Sequence, residues 1–155
     1  MNLWDWALQA YARPGAQTLC LNLQDEYGQC VSYLLWAAWA VDAGRAVDGA
    51  DLARAAALAR EWERAALQPL RSARRALRRP LSGIDAARQE SLRTRLQADE
   101  LAAERLLLEA LEAMTPAVAG EPMSLHQALD AAAMAWGDPP PAAVLEALVR
   151  AFSNA

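Results

Sequence analysis

The sequence has very few of the residues that favour β-strands. Val, Ile and Thr together supply ten residues, whereas Ala supplies 38 and Leu supplies 24. Because Ala and Leu are strong helix formers and β-branched residues are enriched in strands, this composition excludes a β-rich fold. We therefore predict an all-α protein, and its 155 residues fit one domain that can bury a sizeable core.

Cysteine and long apolar runs are also scarce, and lysine is absent. The two cysteines, Cys20 and Cys30, lack a metal-ligand spacing and stand in a chain that needs no disulfide to fold. The longest apolar run, residues 33–41, is far shorter than the about 20 residues of a membrane helix. The first ten residues hold an acid and no basic residue, unlike a secretory signal. We expect a cytoplasmic protein with reduced thiols, no membrane span, no metal site and no cofactor.

Apolar residues recur at helical spacing along almost the whole chain. The pattern predicts six or seven helices in one compact domain, residues 1–155. The third helix, from about residue 31 to 43, is apolar nearly all round, as is typical of a central helix, so Trp36 and Trp39 are predicted core residues. Residues 51–114 are predicted to form a long helical hairpin that projects from the core or leans on it with one thin face. Residues 124–153 are predicted to form a C-terminal helix pair.

Several residues mark the ends of these helices. Asp48 is placed to cap the helix that follows it, whereas two pairs match a capping box: Ser82 with Asp85, and Ser124 with Gln127. Pro69 falls inside an otherwise helical pattern and has no backbone N–H to donate. The helix is therefore expected to kink or to restart at Pro69.

The positive charge of the chain is concentrated in one segment. Residues 60–79, with the sequence REWERAALQPLRSARRALRR, hold seven arginines against two glutamates, a net charge of +5 in a chain whose net charge is −4. On a helix, Arg71, Arg74, Arg75 and Arg78 lie at i, i+3, i+4 and i+7, and therefore on one face. Such a stripe can hold nucleic-acid phosphates, an anionic cofactor or an acidic partner helix.

The same arginines can instead be neutralised inside the hairpin. If the hairpin turns near Ser82, the facing pairs are Arg60 with Glu104, Arg64 with Glu100, Arg74 with Glu90, and Arg79 with Asp85. Each exposed pair of this internal zipper is worth about 0 to 1 kcal/mol. Arg71, Arg75 and Arg78 lack an evident partner in this alignment, so they are the stronger candidates within a partner-binding face that also includes Arg74.

The predicted partner is a protein with an acidic surface. Nucleic acid is disfavoured, because the protein is acidic overall and its aromatic residues lie in core-like stripes away from the arginines. Trp6 lies off the main apolar stripe of the first helix and, if it is exposed, is the leading hot-spot residue for a partner. The favoured function is thus a non-enzymatic binding or adaptor protein.

Two other functions stay open at the level of the sequence. One is a small-molecule-binding helical protein or enzyme with a pocket between the first three helices and the C-terminal pair, which an inward-facing Asp25 or Asp42 would support. The other is homo-oligomerisation through the thin apolar seam of the hairpin. No residue is assigned as catalytic, although Cys30, at a predicted helix start, is the more reactive thiol if it is exposed.

The first half of the chain also resembles a known family. The residues that carry the resemblance are the segment LWDWALQAYARPGAQTLCLNLQDEYGQCVSYLLWAAW, then Trp62, and then Pro69-Leu70-Arg71 with Arg74 and Arg75. Over roughly residues 3–80 this pattern is similar to a proteobacterial family of hypothetical proteins, domain of unknown function 2390. The resemblance implies a bacterial cytoplasmic protein and brings no established activity, cofactor or catalytic residues.

Overall fold

The computed structural model describes residues 1–117, 121 and 123–153, which form helices and no strands. In chain order the elements are α1 (Leu3–Tyr11), α2 (Ala16–Tyr27), α3 (Val31–Asp42), α4 (Gly49–Trp62), a π segment (Glu63–Leu67), α5 (Gln68–Ala76), α6 (Ala86–Met114), α7 (Leu125–Trp136) and α8 (Ala142–Ser153). Because α4, the π segment and α5 are continuous, the described residues make seven helices. The predicted all-α domain of six or seven helices is confirmed. None of the described helices combines the length and the apolar character that a bilayer span requires.

Side-chain caps explain where two of the helices begin. At the start of α4, Asp48 accepts a hydrogen bond from the backbone N–H of Asp51, and the Asp51 carboxylate accepts one from the N–H of Asp48. At the start of α7, Ser124 and Gln127 form the same reciprocal arrangement. Each box satisfies two backbone donors that the first turn of a helix leaves free. Both predicted capping sites are thus confirmed.

The start of α6 differs from the prediction. Its N-cap is Asp85, whose carboxylate accepts a hydrogen bond from the backbone N–H of Arg88. The preceding turn contains Gly83 at a φ of +83°, a conformation that glycine adopts without steric cost. The predicted capping box of Ser82 with Asp85 is therefore wrong, because this turn keeps Ser82 outside the helix.

Pro69 is accommodated without a break in the helix. A proline has no N–H to donate to the carbonyl four residues earlier, here that of Ala65. Just before Pro69 the helix widens into the π segment, where the backbone N–H of Gln68 donates to the carbonyl of Glu63, five residues earlier. The chain therefore stays helical through a π turn, and α5 begins at Gln68 with Pro69 in its first turn, as the predicted restart describes. Such π turns are frequent at functional sites.

The core is built around α3, as its all-round apolar pattern predicts. Tyr33, Trp36 and Trp39 are all buried. Their polar atoms are satisfied as well, since the Tyr33 hydroxyl donates to the carbonyl of Leu52 at 3.0 Å and the Trp36 indole N–H donates to the Thr115 hydroxyl at 2.8 Å. Helices α1, α4, α6 and α7 pack around α3, and α8 covers α2 and α7. Because truncating a buried tryptophan to alanine typically costs about 3–5 kcal/mol, this layer contributes strongly to stability.

The continuous helix from α4 to α5 runs antiparallel to α6 and forms a long hairpin with it. At the base of the hairpin, around Trp62 and Ala103, the two arms are joined by the Trp62 indole N–H, which donates to the carbonyl of Ala103 at 2.9 Å. Here α4 and α6 also pack on α3, and α6 packs on α1. The far end is held by the buried amide of Gln89, which donates to the carbonyls of Leu77 and Arg79. Since α5 packs chiefly against α6, this end of the hairpin stands away from the helices around α3.

Candidate functional site

Arg71, which was predicted to be free, is a buried ion-pair partner. Only 8% of the residue is exposed. Its Nη1 lies 3.5 Å from Glu63 Oε2, and its Nε donates to Glu100 Oε1 at 3.3 Å. The prediction that Arg71 lacks an acidic partner is therefore wrong. A guanidinium held between two buried carboxylates is a structural element of the hairpin base and does not present its charge to a partner.

Arg74 and Arg75 are also paired. Arg74 Nε donates to Glu100 Oε2 at 2.5 Å, and this hydrogen bond raises the pKa of Arg74. Arg75 Nη2 donates to Asp25 Oδ1 on α2 at 2.5 Å, so the prediction that Arg75 lacks an acidic partner is wrong too. The Arg75 and Asp25 side chains are 48% and 41% exposed. Solvent screens an exposed pair of this kind, which is worth about 0 to 1 kcal/mol.

The four predicted zipper pairs do not form among the described residues. Glu100 pairs with Arg71 and Arg74, which lie two to three turns beyond its predicted partner Arg64. Part of this shift arises because helical side chains lean toward the N-terminus of their own helix by about one position, and because arginine and glutamate side chains are long. In an antiparallel hairpin this lean carries a side chain of α5 away from the turn and one of α6 toward it. Two facing side chains therefore belong to residues further along the chain than the backbone alignment indicates.

Arg60 and Glu90 have other partners than the zipper predicted. Arg60 donates to the backbone carbonyl of Trp136, and its guanidinium lies 4.9 Å from the centre of the Trp136 ring. Glu90 pairs with Arg93 one turn later on α6. Arg60 therefore holds α4 against α7 and does not join the two helices of the hairpin.

The far end of the hairpin keeps uncompensated positive charge. We define the hairpin tip as residues 78–95, in which five arginines stand against Asp85 and Glu90, a net charge of +3. Since the whole chain carries −4, the remainder carries −7. Arg78 and Arg79 are exposed and have no ion-pair partner within the described part of the chain. Of the four arginines in the predicted binding face, Arg78 alone combines exposure with the lack of a described acidic partner.

The hairpin tip also exposes large aliphatic side chains. Leu81 and Ile84 are 53% and 57% exposed and lie three residues apart in the turn before α6. Leu92, two turns into α6, is exposed as well. Exposed apolar residues that occur singly are normal on protein surfaces, whereas apolar residues grouped within a charged rim mark interaction sites. The hairpin tip therefore offers guanidinium groups and apolar anchors together.

Trp6 is a core residue and not a surface one. Only 6% of it is exposed, and its ring packs edge to face on Phe152 with the ring centres 5.9 Å apart. Its indole N–H donates to Asp42 Oδ2 at 3.0 Å. The condition under which Trp6 was predicted to be a hot spot is therefore not met, and Asp42 serves as its hydrogen-bond acceptor.

A cleft of about 510 Å³ opens between α1, α2, α3 and the hairpin. Its apolar lining residues are Trp4, Ala7, Leu8, Leu21, Val31, Leu35, Ala98, Leu101 and Leu108, and its charged ones are Arg74, Glu100 and Glu104. The volume is within the range of about 300–1,000 Å³ that is typical of small-molecule sites. The sequence placed a pocket against the C-terminal helix pair and near Asp25 or Asp42. The cleft lies against α6 instead, and neither aspartate lines it.

Glu104 is the charged residue of this cleft that has no ion-pair partner among the described residues. Burial, together with the neighbouring charge of Glu100, raises the pKa of Glu104 to about 7, while Arg71 and Arg74 oppose the rise. A carboxyl group in low-dielectric surroundings favours its neutral form. Near neutral pH, Glu104 is therefore divided between its protonated and ionised forms.

The two thiols are buried and free. Burial raises the pKa of Cys20 to about 12, and burial together with the charge of Glu63 also raises the pKa of Cys30. Since the thiolate is the reactive form, neither thiol is activated, and Cys30 does not meet the exposure condition set for it. Over residues 1–117, 121 and 123–153, no three His, Cys, Asp or Glu side chains are grouped as metal ligands would be.

The sequence reasoning missed the role of Glu63 and Glu104 at the hairpin base. Glu104 was considered only as a partner of Arg60, and Glu63 only as part of a charge count. A signal was present, because Glu100 and Glu104 lie at i and i+4 on α6, where two like charges repel each other. Such a pair needs nearby cations or burial in the neutral form, and the structure supplies both.

Comparison with known proteins identifies the family. No curated protein and no solved structure matches the chain significantly. A sequence model of the family described as "Protein of unknown function (DUF2390)" matches residues 2–111. The match extends beyond the segment that carried the resemblance, and it includes the whole hairpin tip and every residue that lines the cleft. Since the match covers more than half of the sequence, the chain belongs to the DUF2390 family.

Proposed function

We propose that this protein is a cytoplasmic binding protein that engages an acidic surface of a protein partner through its hairpin tip. The observation that carries the proposal is the exposed positive charge of the tip. Arg78 and Arg79 form no ion pair among the described residues, whereas Arg71, Arg74 and Arg75 are each paired with a carboxylate. The available charge thus lies at the end of the arginine helix and not along its face.

The chemistry of the hairpin tip suits a carboxylate-rich protein surface. A guanidinium group is planar and can pair with a carboxylate through two parallel hydrogen bonds. Leu81 and Ile84 stand exposed in the same turn and can enter an apolar depression on the partner. Arginine is enriched among the hot-spot residues of protein interfaces, and the fully buried centre of such interfaces is more apolar than the rest of the surface.

The charge distribution also favours an approach with the hairpin tip first. The tip carries +3 and the remainder of the chain −7, so an acidic partner attracts one end of the molecule and repels the other. At about 0.1 M salt such forces act over roughly 10 Å. Because the tip projects away from the core, it can contact the partner while the acidic remainder of the chain lies farther from the partner's acidic surface.

Nucleic acid and lipid fit the hairpin tip less well than a protein does. The tip contains no Trp, Tyr or Phe on which a base could stack. On an anionic bilayer each arginine contributes about 1 kcal/mol, so a net charge of +3 with three aliphatic residues gives weak attachment that the acidic body opposes. A protein partner can instead meet the guanidinium groups and the aliphatic groups together.

Site-specific photo-crosslinking in the native host tests the proposal. A photoreactive phenylalanine replaces Ile84 in the hairpin tip, and a matched variant carries it at Leu106, which is equally exposed but lies near the base of α6. The expected result is a covalent adduct with one acidic protein from position 84 and none from position 106. Adding Arg78→Glu and Arg79→Glu should abolish that adduct while the far-ultraviolet circular dichroism stays unchanged.

Three outcomes would contradict this function. Adducts of equal yield at positions 84 and 106 would show random encounter, and an adduct that survives the two charge reversals would show that the guanidinium groups are not used. Binding of the purified protein to a DNA or RNA duplex, or to vesicles rich in phosphatidylserine, would assign the hairpin tip to a different class of partner if the same charge reversals abolished it.

A further inference from the structure

We infer that the cleft between α1, α2, α3 and the hairpin is a binding site for a small molecule with an apolar body and a protonated amine. This site lies at the base of the hairpin and is independent of the interaction proposed for the hairpin tip. Two features carry the inference: an open apolar space of about 510 Å³, and the carboxylate of Glu104, which lines this space and has no ion-pair partner among the described residues. Each feature alone has a structural explanation, whereas their coincidence points to a ligand.

The apolar part of the cleft is left open by the packing of the described residues. Leu8 on α1 and Leu101 on α6 both line the cleft, and each is about half exposed. Trp4, Leu35 and Leu108 complete the apolar walls. An apolar ligand would remove these surfaces from water, which stabilises a complex by roughly 25 cal/mol for each Å² buried. An aromatic ring or a short alkyl chain therefore fits the walls.

The charged part of the cleft favours a cation. Glu63, Glu100 and Glu104 stand near Arg71 and Arg74, so the cluster has one more carboxylate than it has guanidinium groups. Both arginines already donate to Glu100, which leaves Glu104 without an ion pair among the described residues. An ammonium group placed beside Glu104 would complete the neutralisation. A carboxylate or phosphate on the ligand would instead face an unpaired acid.

The charged and titratable groups around Glu104 come from four helices and the π segment. They are Tyr11 on α1, Cys20 on α2, Glu63 on the π segment, Arg71 and Arg74 on α5, and Glu100 on α6. A bound ammonium favours the ionised form of Glu104, whose pKa of about 7 leaves it partly protonated in the free protein. Binding should therefore release protons at pH 7 and should strengthen as the pH rises from about 6 to about 8.

Calorimetry with three isosteric probes tests this inference on the full chain. The probes are 4-phenylbutylamine, 4-phenylbutanol and 4-phenylbutyrate, which share an apolar body and differ in the charge of the head group. The amine should bind roughly tenfold more tightly than the alcohol, because it makes a charge-assisted hydrogen bond, and the carboxylate should bind most weakly. Titrations in buffers of different ionisation enthalpy should show proton release with the amine only.

Matched variants distinguish binding in the cleft from an unspecific effect of removing a carboxylate. Glu104→Gln should abolish the preference for the amine and the proton release, whereas Glu109→Gln, an exposed residue on the same helix, should change neither. Ala98→Trp, at an exposed position of the cleft lining, should abolish binding of all three probes without altering the melting temperature of the free protein by more than a few degrees.

Several results would overturn the inference. Equal affinities for amine and alcohol, or a preference for the amine that survives Glu104→Gln, would show that the cleft does not recognise a cationic group through Glu104 and is only an apolar site. Absence of binding by any probe at millimolar concentration would remove the site itself. A dimer in sedimentation equilibrium that Ala98→Trp dissociates would make a second copy of the chain the occupant of the cleft.

Discussion

Arg71 lies within α5 and Arg78 lies in the turn just after it, and the two arginines stand in opposite environments. Arg71 is buried between Glu63 and Glu100, whereas Arg78 is exposed and has no ion-pair partner among the described residues. The difference arises because the base of the hairpin packs on the helices around α3, whereas α5 and the tip pack chiefly within the hairpin. One run of arginines thus forms a buried, neutralised charge cluster at the base of the hairpin and an exposed, positively charged surface at its tip.

The buried and the exposed arginines should contribute differently to the free energy of unfolding. A buried ion pair depends on both partners, since removing one leaves an uncompensated charge in a medium that solvates it poorly. An exposed charge loses little when its neighbours change, because water and salt screen it. Substitutions of the arginines in α5 and in the turn after it should therefore change the free energy of unfolding by two very different magnitudes.

The largest effect is expected at the hairpin base. Arg71→Ala leaves the buried Glu63 and Glu100 short of positive charge, and we expect it to lower the free energy of unfolding by about 3–5 kcal/mol. Arg78→Ala, the matched control in the turn just after α5, should change it by less than about 0.5 kcal/mol. Urea unfolding followed by circular dichroism measures both values. Equal losses for the two variants would show that the base and the tip do not differ as described.

A smaller effect should appear at Glu104 and should depend on pH. The pKa of Glu104 is raised from its ordinary 4.5 to about 7, so the native state holds a proton that the unfolded state releases. Stability is therefore lost as the pH rises from about 4.5 through 7. The loss reaches up to about 3 kcal/mol, because each tenfold difference in proton affinity between the two states corresponds to about 1.4 kcal/mol. Glu104→Gln should remove this loss and be the more stable form at pH 8.

Urea unfolding at pH 5, 6, 7 and 8 tests this dependence. The difference in unfolding free energy between Glu104→Gln and the parent protein should grow with pH. Glu109→Gln, which also removes a carboxylate from α6 but at an exposed position, should show no such growth. A constant difference across this range would mean that Glu104 titrates at its ordinary pKa.

The smallest effect is expected for the pair that links the arginine helix to α2. A double-mutant cycle with Arg75→Ala and Asp25→Asn should give a coupling energy of about 0 to 1 kcal/mol, because both side chains are more than 40% exposed. The coupling should fall further in 1 M sodium chloride. A coupling energy comparable to that of Arg71 with Glu100 would place Arg75 in the structural cluster of the base.

The fold class and most helix ends could be predicted because they depend on local chemistry. Asp48 and Ser124 cap the helices that follow them, and Gly28, in the left-handed conformation, ends α2. The apolar pattern of α3 identified Trp36 and Trp39 as core. Each of these features needs only residues within one or two turns of each other.

The site could be predicted less well, because it depends on how helices meet. Glu100 pairs with Arg71 and Arg74 and not with Arg64, because the packing of the two arms sets which side chains meet, although the hairpin itself was predicted. Trp6 lies off the main stripe of α1, yet Phe152, far away in the sequence, covers it. The cleft arises between separate helices, so no single segment carries its signature.

The amino-acid sequence by itself determined an all-helical chain, the positions of its caps and the concentration of arginine between residues 60 and 79, since composition and short-range spacing control these properties. Only the tertiary structure decided which arginines are neutralised and that exposed positive charge lies at the hairpin tip. It also decided that Glu104 lies beside an apolar cleft and has no ion-pair partner among the described residues. The physical reason is that burial and ion pairing depend on distances between helices, which residues remote in the sequence establish together.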